Sequence, residues 1–184
     1  MLKIGLSIMS NDRSYSGFTL LEVLITLIVL SVGLLGLSGL QTMSLRSNHD
    51  AYLRSQAAIQ AYDLVDRMRA NSGSNSSAYI KSGTDMVGTE KAACDTTAGC
   101  TATEMALHDL FKWNQANQTL LPQGIGIVCH DNTIDDGSYV AGVVTTGCTN
   151  QPADPLVVKI WWVDGRTKDQ PDVSHLSVLV GDQL

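Results

Sequence analysis

Charge is what one long apolar stretch of this chain lacks. Between Val23 and Leu45 there is no Asp, Glu, Lys or Arg, whereas the rest is rich in Ser, Thr, Asn, Asp and Gly. As a helix rising about 1.5 Å per residue, that uncharged run reaches about 35 Å, enough to cross a hydrocarbon core of about 30 Å. The distribution implies a water-soluble domain attached to one membrane-spanning helix. The run is too long for an ordinary signal peptide, and "QTMSLRSNHDAYLRSQ" beyond it offers no Ala-x-Ala cleavage site. It is therefore expected to stay in the mature protein.

Further absences narrow the function classes. The net charge is -6 with the acids scattered, which argues against an extended basic surface, and no nucleic-acid partner is expected. There is no Walker loop, and His49, His108, His130 and His175 fall on different expected elements without a His-x-x-x-His pair. Ser174-His175-x-Ser177 alternates along a strand and forms no nucleophile elbow. The cysteine spacings contain no Cys-x-x-Cys knuckle for zinc. "DNTIDDG" at 131–137 departs from a calcium loop, with Thr133 in the third place and Asp136 in the sixth, and reads as an Asp/Asn-rich hairpin turn. The expectation is a protein that is not an enzyme and holds no cofactor or metal.

What is present begins with four cysteines, Cys94, Cys100, Cys129 and Cys148, all beyond the apolar run. An even count in a small polar domain points to disulfides and an oxidising compartment. Of the three pairings, Cys94–Cys100 closing a short loop with Cys129–Cys148 bracketing a hairpin is the most economical. Lys3 and Arg13 precede the run and Arg46 and Arg54 follow it, so basic residues hardly orient it. The cysteines do, by placing the C-terminal domain outside the cytoplasm.

"GFTLLEVLITL" stands at the head of the run. It resembles the N-terminal signature of type IV prepilins and pseudopilins: Gly, then Phe-Thr-Leu-x-Glu, then a long apolar helix. The resemblance implies that a prepilin peptidase cuts between Gly17 and Phe18 on the cytoplasmic side and methylates the new amine of Phe18. Glu22 becomes the fifth mature residue. The segment ahead of the cut, 1–17, is longer than the common short leaders, and Ser16 stands where a basic residue is frequent. Met9 is an alternative start, leaving "MSNDRSYSG".

An acid at helix-centre depth costs about 2.5–3.5 kcal/mol on insertion scales, and less near the interface where Glu22 sits. Once helices leave lipid for a fibre, Glu22 needs a cation. The resemblance supplies the Phe18 amine of a neighbouring subunit. At ~4 Å and an effective dielectric of ~20 that pair is worth about 4 kcal/mol before desolvation. Such a pair selects axial alignment more than it adds stability.

After Leu45 the pattern becomes amphipathic: Tyr52, Leu53, Ala57, Ala61, Leu64, Val65 and Met68 recur at three- and four-residue steps until "NSGSNSS" at 71–77. One helix from about 19 to 70 is expected, which would be roughly 80 Å long. Gly33, Gly36 and Gly39 lie within it, and two readings stay open: close helix packing through small residues, or a helix-weakening stretch. A second helix is expected over 102–121, started by Thr101 and Glu104 at capping-box spacing. Its apolar face would be Leu107, Leu110 and Phe111, and Pro122-Gln-Gly would end it. Strands are expected at 124–129, 138–146, 156–163 and 173–180. In the third, Leu156, Val158, Ile160 and Trp162 should face the core. Lys159 and Trp161 share the other face, Trp161 as a half-buried aromatic or a subunit contact.

The expected fold class is thus α+β and pilin-like, a long N-terminal helix on a small antiparallel sheet of about four strands, plus a second short helix. The expected divisions are 1–17 leader, 18–45 transmembrane and fibre-core helix, 46–71 amphipathic helix, and 72–184 extracytoplasmic globular domain. "VGLLGLSGLQ", "LVDRMRAN" and "KIWW" further resemble the PilV-type minor pilins. That resemblance implies a minor pilin of a type IV pilus, helping to initiate or join the fibre near its tip. Its partners would be other minor and major pilins, the prepilin peptidase and the inner-membrane assembly platform. It would cross the inner membrane once, with its domain periplasmic, before reaching the pilus at the cell surface. The alternatives are a minor pseudopilin of a type II secretion system and a pilus-displayed adhesin module.

Overall fold

The computed structural model describes residues 17–71, 73, 76–80, 86–140, 143–163 and 173–181. Helix α1 spans Leu20–Ala70 without interruption, passing through all three glycines of the apolar run. It ends where the sequence enters Asn71-Ser-Gly, and the Asn71 N–H donates to the Arg67 carbonyl at 3.0 Å. The chain divides between Arg46 and Ser47 into two compact units. In the first, every described side chain is exposed.

In the second unit, α1 buries Leu53, Ala57, Gln60, Ala61, Leu64, Val65 and Met68. Tyr52, expected on that face, is instead 54% exposed. At about 100° per residue it stands one step off Leu53, outside the stripe centred on Ala57 and Leu64.

Helix α2 spans Ala102–Leu120 and starts in a complete capping box. The Glu104 N–H donates to Thr101 Oγ1 at 3.3 Å, and the Thr101 N–H donates to Glu104 Oε2 at 3.0 Å. Its buried face runs through Ala106, Leu110, Trp113, Asn114 and Asn117. Leu107 and Phe111 lie half-buried at the margins, so the face is rotated from the expected one. Trp113 accounts for the rotation. Its ring is the largest apolar group on the helix, and burying its Nε1–H requires an acceptor. The Gln60 carbonyl of α1 accepts at 2.8 Å.

Strands β1 (Ile125–His130), β4 (Leu156–Val163) and β5 (Val173–Leu179) form one antiparallel sheet in the order β1-β4-β5. The segment read as one strand over 138–146 is a hairpin, β2 (Ser138–Val140) paired with β3 (Val143–Thr145). The described residues therefore hold five strands in two sheets. Residues 141 and 142, where the connection falls, lie outside the described residues, but Gly142 in the sequence is a turn signal inside an apolar run.

Alternation along β4 feeds two cores. Leu156, Val158, Ile160 and Trp162 pack against both helices with Leu64, Met68, Leu110 and Trp113. The opposite face carries Trp161 and Val163, which cluster with Ile127, Cys129 and Tyr139. A strand buried on both faces reads as a continuous apolar run, as "LVVKIWWV" does. Trp161 is 0% exposed, so it is neither half-buried nor a subunit contact: the 131–149 segment covers that face. Close approach between α2 and β1 depends on Gly126. A Cβ there would lie 2.1 Å from the Trp113 ring, and the Gly126 N–H donates to Asn114 Oδ1 at 2.8 Å.

Candidate functional site

The sequence-expected site lies at the head of α1. Thr19 precedes the first helical residue, and its Oγ1 accepts from the Glu22 N–H at 3.2 Å. Glu22 therefore sits in the first turn, where the unpaired N–H groups give a positive end that favours a carboxylate. Phe18 is 83% exposed. Among the described residues, a Cβ at Gly17 would meet no heavy atom within 4 Å. Gly33, Gly36 and Gly39 are equally open, so their faces are free for a partner's approach.

Downstream of that head, Val23, Leu24, Leu27, Leu30, Leu34 and Leu37 are all exposed. The helix is long and apolar enough to cross a membrane. An uncovered surface of this kind is stable only in lipid or against other apolar helices.

Cys94 and Cys100 form one disulfide, with Cα atoms 4.9 Å apart, and Cys129 and Cys148 form the other at 6.1 Å. They are not part of the helix-head site; each closes a loop of the second unit. Beside the first, His108 Nδ1 accepts from the Lys91 N–H at 3.1 Å, which places the ring proton on Nε2, 3.1 Å from Asp95 Oδ1. Lys112 reaches Asp95 Oδ2 at 3.3 Å. These bonds, that from Lys112 first, hold the Asp95 carboxyl below its usual pKa. A second polar group joins the helices: the Tyr79 hydroxyl donates to Asp109 Oδ2 at 3.0 Å and accepts from Asn71 Nδ2 at 3.1 Å. Burial pushes the Tyr79 hydroxyl pKa up.

Beside the second disulfide is a cluster that sequence reasoning missed. Lys159, at the centre of β4, has no exposed side-chain surface. Its Nζ pairs with Asp131 Oδ2, which is equally buried, and with Asp136 Oδ1 at 2.7 Å, and it donates to the Thr146 carbonyl at 3.1 Å. So the "DNTIDDG" segment supplies the counter-charges of a buried lysine. The bond from Lys159 is the main reason the Asp136 carboxyl is held below its usual pKa, with Thr133 adding to it. The usable signal was a lysine inside an otherwise apolar strand, because a buried cation demands acids nearby.

A capped helix head with an acid in its first turn, an uncovered apolar helix and a small α+β domain stapled by disulfides define a pilin-like subunit. Family comparison agrees. Residues 12–38 match the prokaryotic N-terminal methylation motif, and residues 39–111 match the Tt1218-like type IV pilin model. The matches adjoin and together run from residue 12 to residue 111. This chain belongs to the type IV pilin family, a family of structural subunits. No curated protein and no solved structure matches it. The methylation motif implies processing by a prepilin peptidase and assembly with other pilins, and with the apolar helix it suits anchoring in the inner membrane.

Proposed function

We propose that this pilin is a minor subunit of a type IV pilus, helping to initiate or join the fibre at or near its tip. Residues 1–17 are the leader, cut between Gly17 and Phe18, and Phe18 is N-methylated. Residues 18–45 serve first as a lipid-held anchor and then as fibre core. Residues 46–71 carry the amphipathic helix, and 72–184 the globular domain, which is periplasmic before assembly and external afterwards. The observation that carries the reading is the Gly-Phe-Thr-Leu-x-Glu signature heading a helix whose apolar surface the described residues leave exposed. The short motifs at 32–41, 64–71 and 159–162 support the minor-pilin subtype over the major one.

Glu22 is the alignment charge. It is exposed in the subunit, is favoured by the helix end, and lacks a cation among the described residues around it. The amine of Phe18 from a neighbouring subunit provides one when two helices stand in register. Mass spectrometry of the mature N-terminus tests the processing: a chain beginning at methylated Phe18 is expected, and Gly17 still attached would refute it. The Glu22→Ala variant tests the alignment. It should insert and be processed normally but enter fibres poorly, and normal incorporation would overturn the role.

A further inference from the structure

The arrangement around Lys159 is more specific than a buried ion pair requires. The amine comes from the middle of β4, and Asp131 follows the end of β1, its N–H donating to the Pro155 carbonyl at 3.0 Å. The two oxygens of Asp131 have different surroundings. Oδ2 meets Lys159 Nζ, while Oδ1 accepts from the Thr133 N–H at 3.2 Å. A second carboxylate, Asp136, touches the same nitrogen, and its side chain is 43% exposed, unlike the other two groups. Gly147 allows that approach, because a Cβ there would lie 2.0 Å from Asp136 Oδ1. Ile127 and Trp161 flank Lys159 on the same sheet face and help exclude water.

We propose that this cluster is a self-modification site, which joins Lys159 Nζ to Asp131 Cγ in an intramolecular amide bond. The contact between Nζ and Asp131 Oδ2 lets the ammonium pass a proton to that oxygen, giving a neutral amine beside a neutral acid. The Nζ lone pair attacks Cγ, and the carbonyl electron pair moves onto Oδ1, where the Thr133 N–H already donates. Asp136 accepts a proton from the nitrogen and returns it to Oδ2, which departs as water with the electrons of the Cγ–Oδ2 bond. The Nζ–Cγ bond forms, one water is lost, and Asp136 ends as the carboxylate it was. No oxidant, reductant or activated donor is consumed. The exposed flank of Asp136 gives the water a way out. The product ties the centre of β4 covalently to the segment closed by Cys129–Cys148, so that a subunit under tension holds two strands by more than hydrogen bonds.

The test is the intact mass of the full chain, purified from membranes in detergent, then reduced and denatured. The expected mass is one water below that of the processed sequence. Proteolysis should yield a branched peptide joining Lys159 to Asp131, and Lys159 should resist acylation in denaturant. The Asp136→Asn variant keeps both reacting groups and removes the proton carrier, so it is expected at full mass with an acylable Lys159 and both disulfides formed. A wild-type chain at full mass with Lys159 acylated overturns the proposal and leaves a plain ion pair. So does a water loss that maps to the Asp136-Gly137 bond. A link retained in Asp136→Asn overturns the role of Asp136.

Discussion

Lys159 is fully buried beside two carboxylates, so its charge carries a large stake in the domain. Its Nζ serves two carboxylates and the carbonyls of Asp136 and Thr146 with no help from solvent. In a chain whose Lys159 and Asp131 are still unlinked, Lys159→Met removes the cation and leaves Asp131 buried without one, which should cost about 3–5 kcal/mol. Urea unfolding of the full chain in detergent, read by tryptophan fluorescence, measures it. The double variant Asp131→Ala/Lys159→Met buries no charge at that spot and should recover part of the loss. The exposed acids act through pH instead. Asp136 and Asp95 have folded-state pKa values below their unfolded ones, by bonds from Lys159 and Lys112 foremost. Their contribution is therefore present above the unfolded carboxylate value of about 4, and is lost as pH falls through the lower folded values. Unfolding midpoints should fall as the pH drops below that value, and an Asp95→Asn/Asp136→Asn chain should show a shallower decline. An unchanged slope would mean that these pairs add nothing to stability.

At the scale of elements, α2 shows what a sequence reveals and what it hides. Its start was legible because Thr101 and Glu104 state the cap chemically, and both reciprocal bonds are formed. Thr101→Ala should cost about 1 kcal/mol, measurable as a lower unfolding midpoint. A variant as stable as the parent would show that this helix end is held by tertiary contacts alone. The buried face of α2 was not legible, because a single helix cannot say which side chain its neighbours will accept. Only the Gln60 carbonyl and the space over Gly126 make Trp113 the anchor. The same reason separates the two faces of β4. The alternation of Leu156, Val158, Ile160 and Trp162 announced one core. The second depends on a distant loop and hairpin folding over Trp161 and Lys159. At the head of α1, the methylation motif over residues 12–38 was legible because it is written in linear spacing, which needs no tertiary contact to be recognised.

For the whole molecule, the division between Arg46 and Ser47 does not coincide with the end of α1, and this has a consequence for what can fold alone. The core of the second unit takes Leu53, Ala57, Ala61, Leu64, Val65 and Met68 from the helix. It also takes the Gln60 carbonyl, which satisfies Trp113 Nε1–H, and Arg67, which pairs with Asp109 at 3.3 Å. A cut after Asn71 would keep both disulfides and the whole sheet, yet it would strip one wall from the core. Burial of a Leu, Val or Met side chain contributes about 1.5–3 kcal/mol, and several are lost together, against a total stability of about 5–15 kcal/mol for an ordinary domain. The fragment 72–184 should therefore fail to fold. The fragment 47–184 should fold without detergent, because it keeps that wall and sheds the exposed apolar turns up to Leu45. Near-ultraviolet circular dichroism of the two fragments, each exported so that its disulfides form, decides between them. A cooperative melt in 47–184 and none in 72–184 is the expected result. Folding of the shorter fragment would mean that the amphipathic half of α1 is an attachment to the domain and not one of its walls.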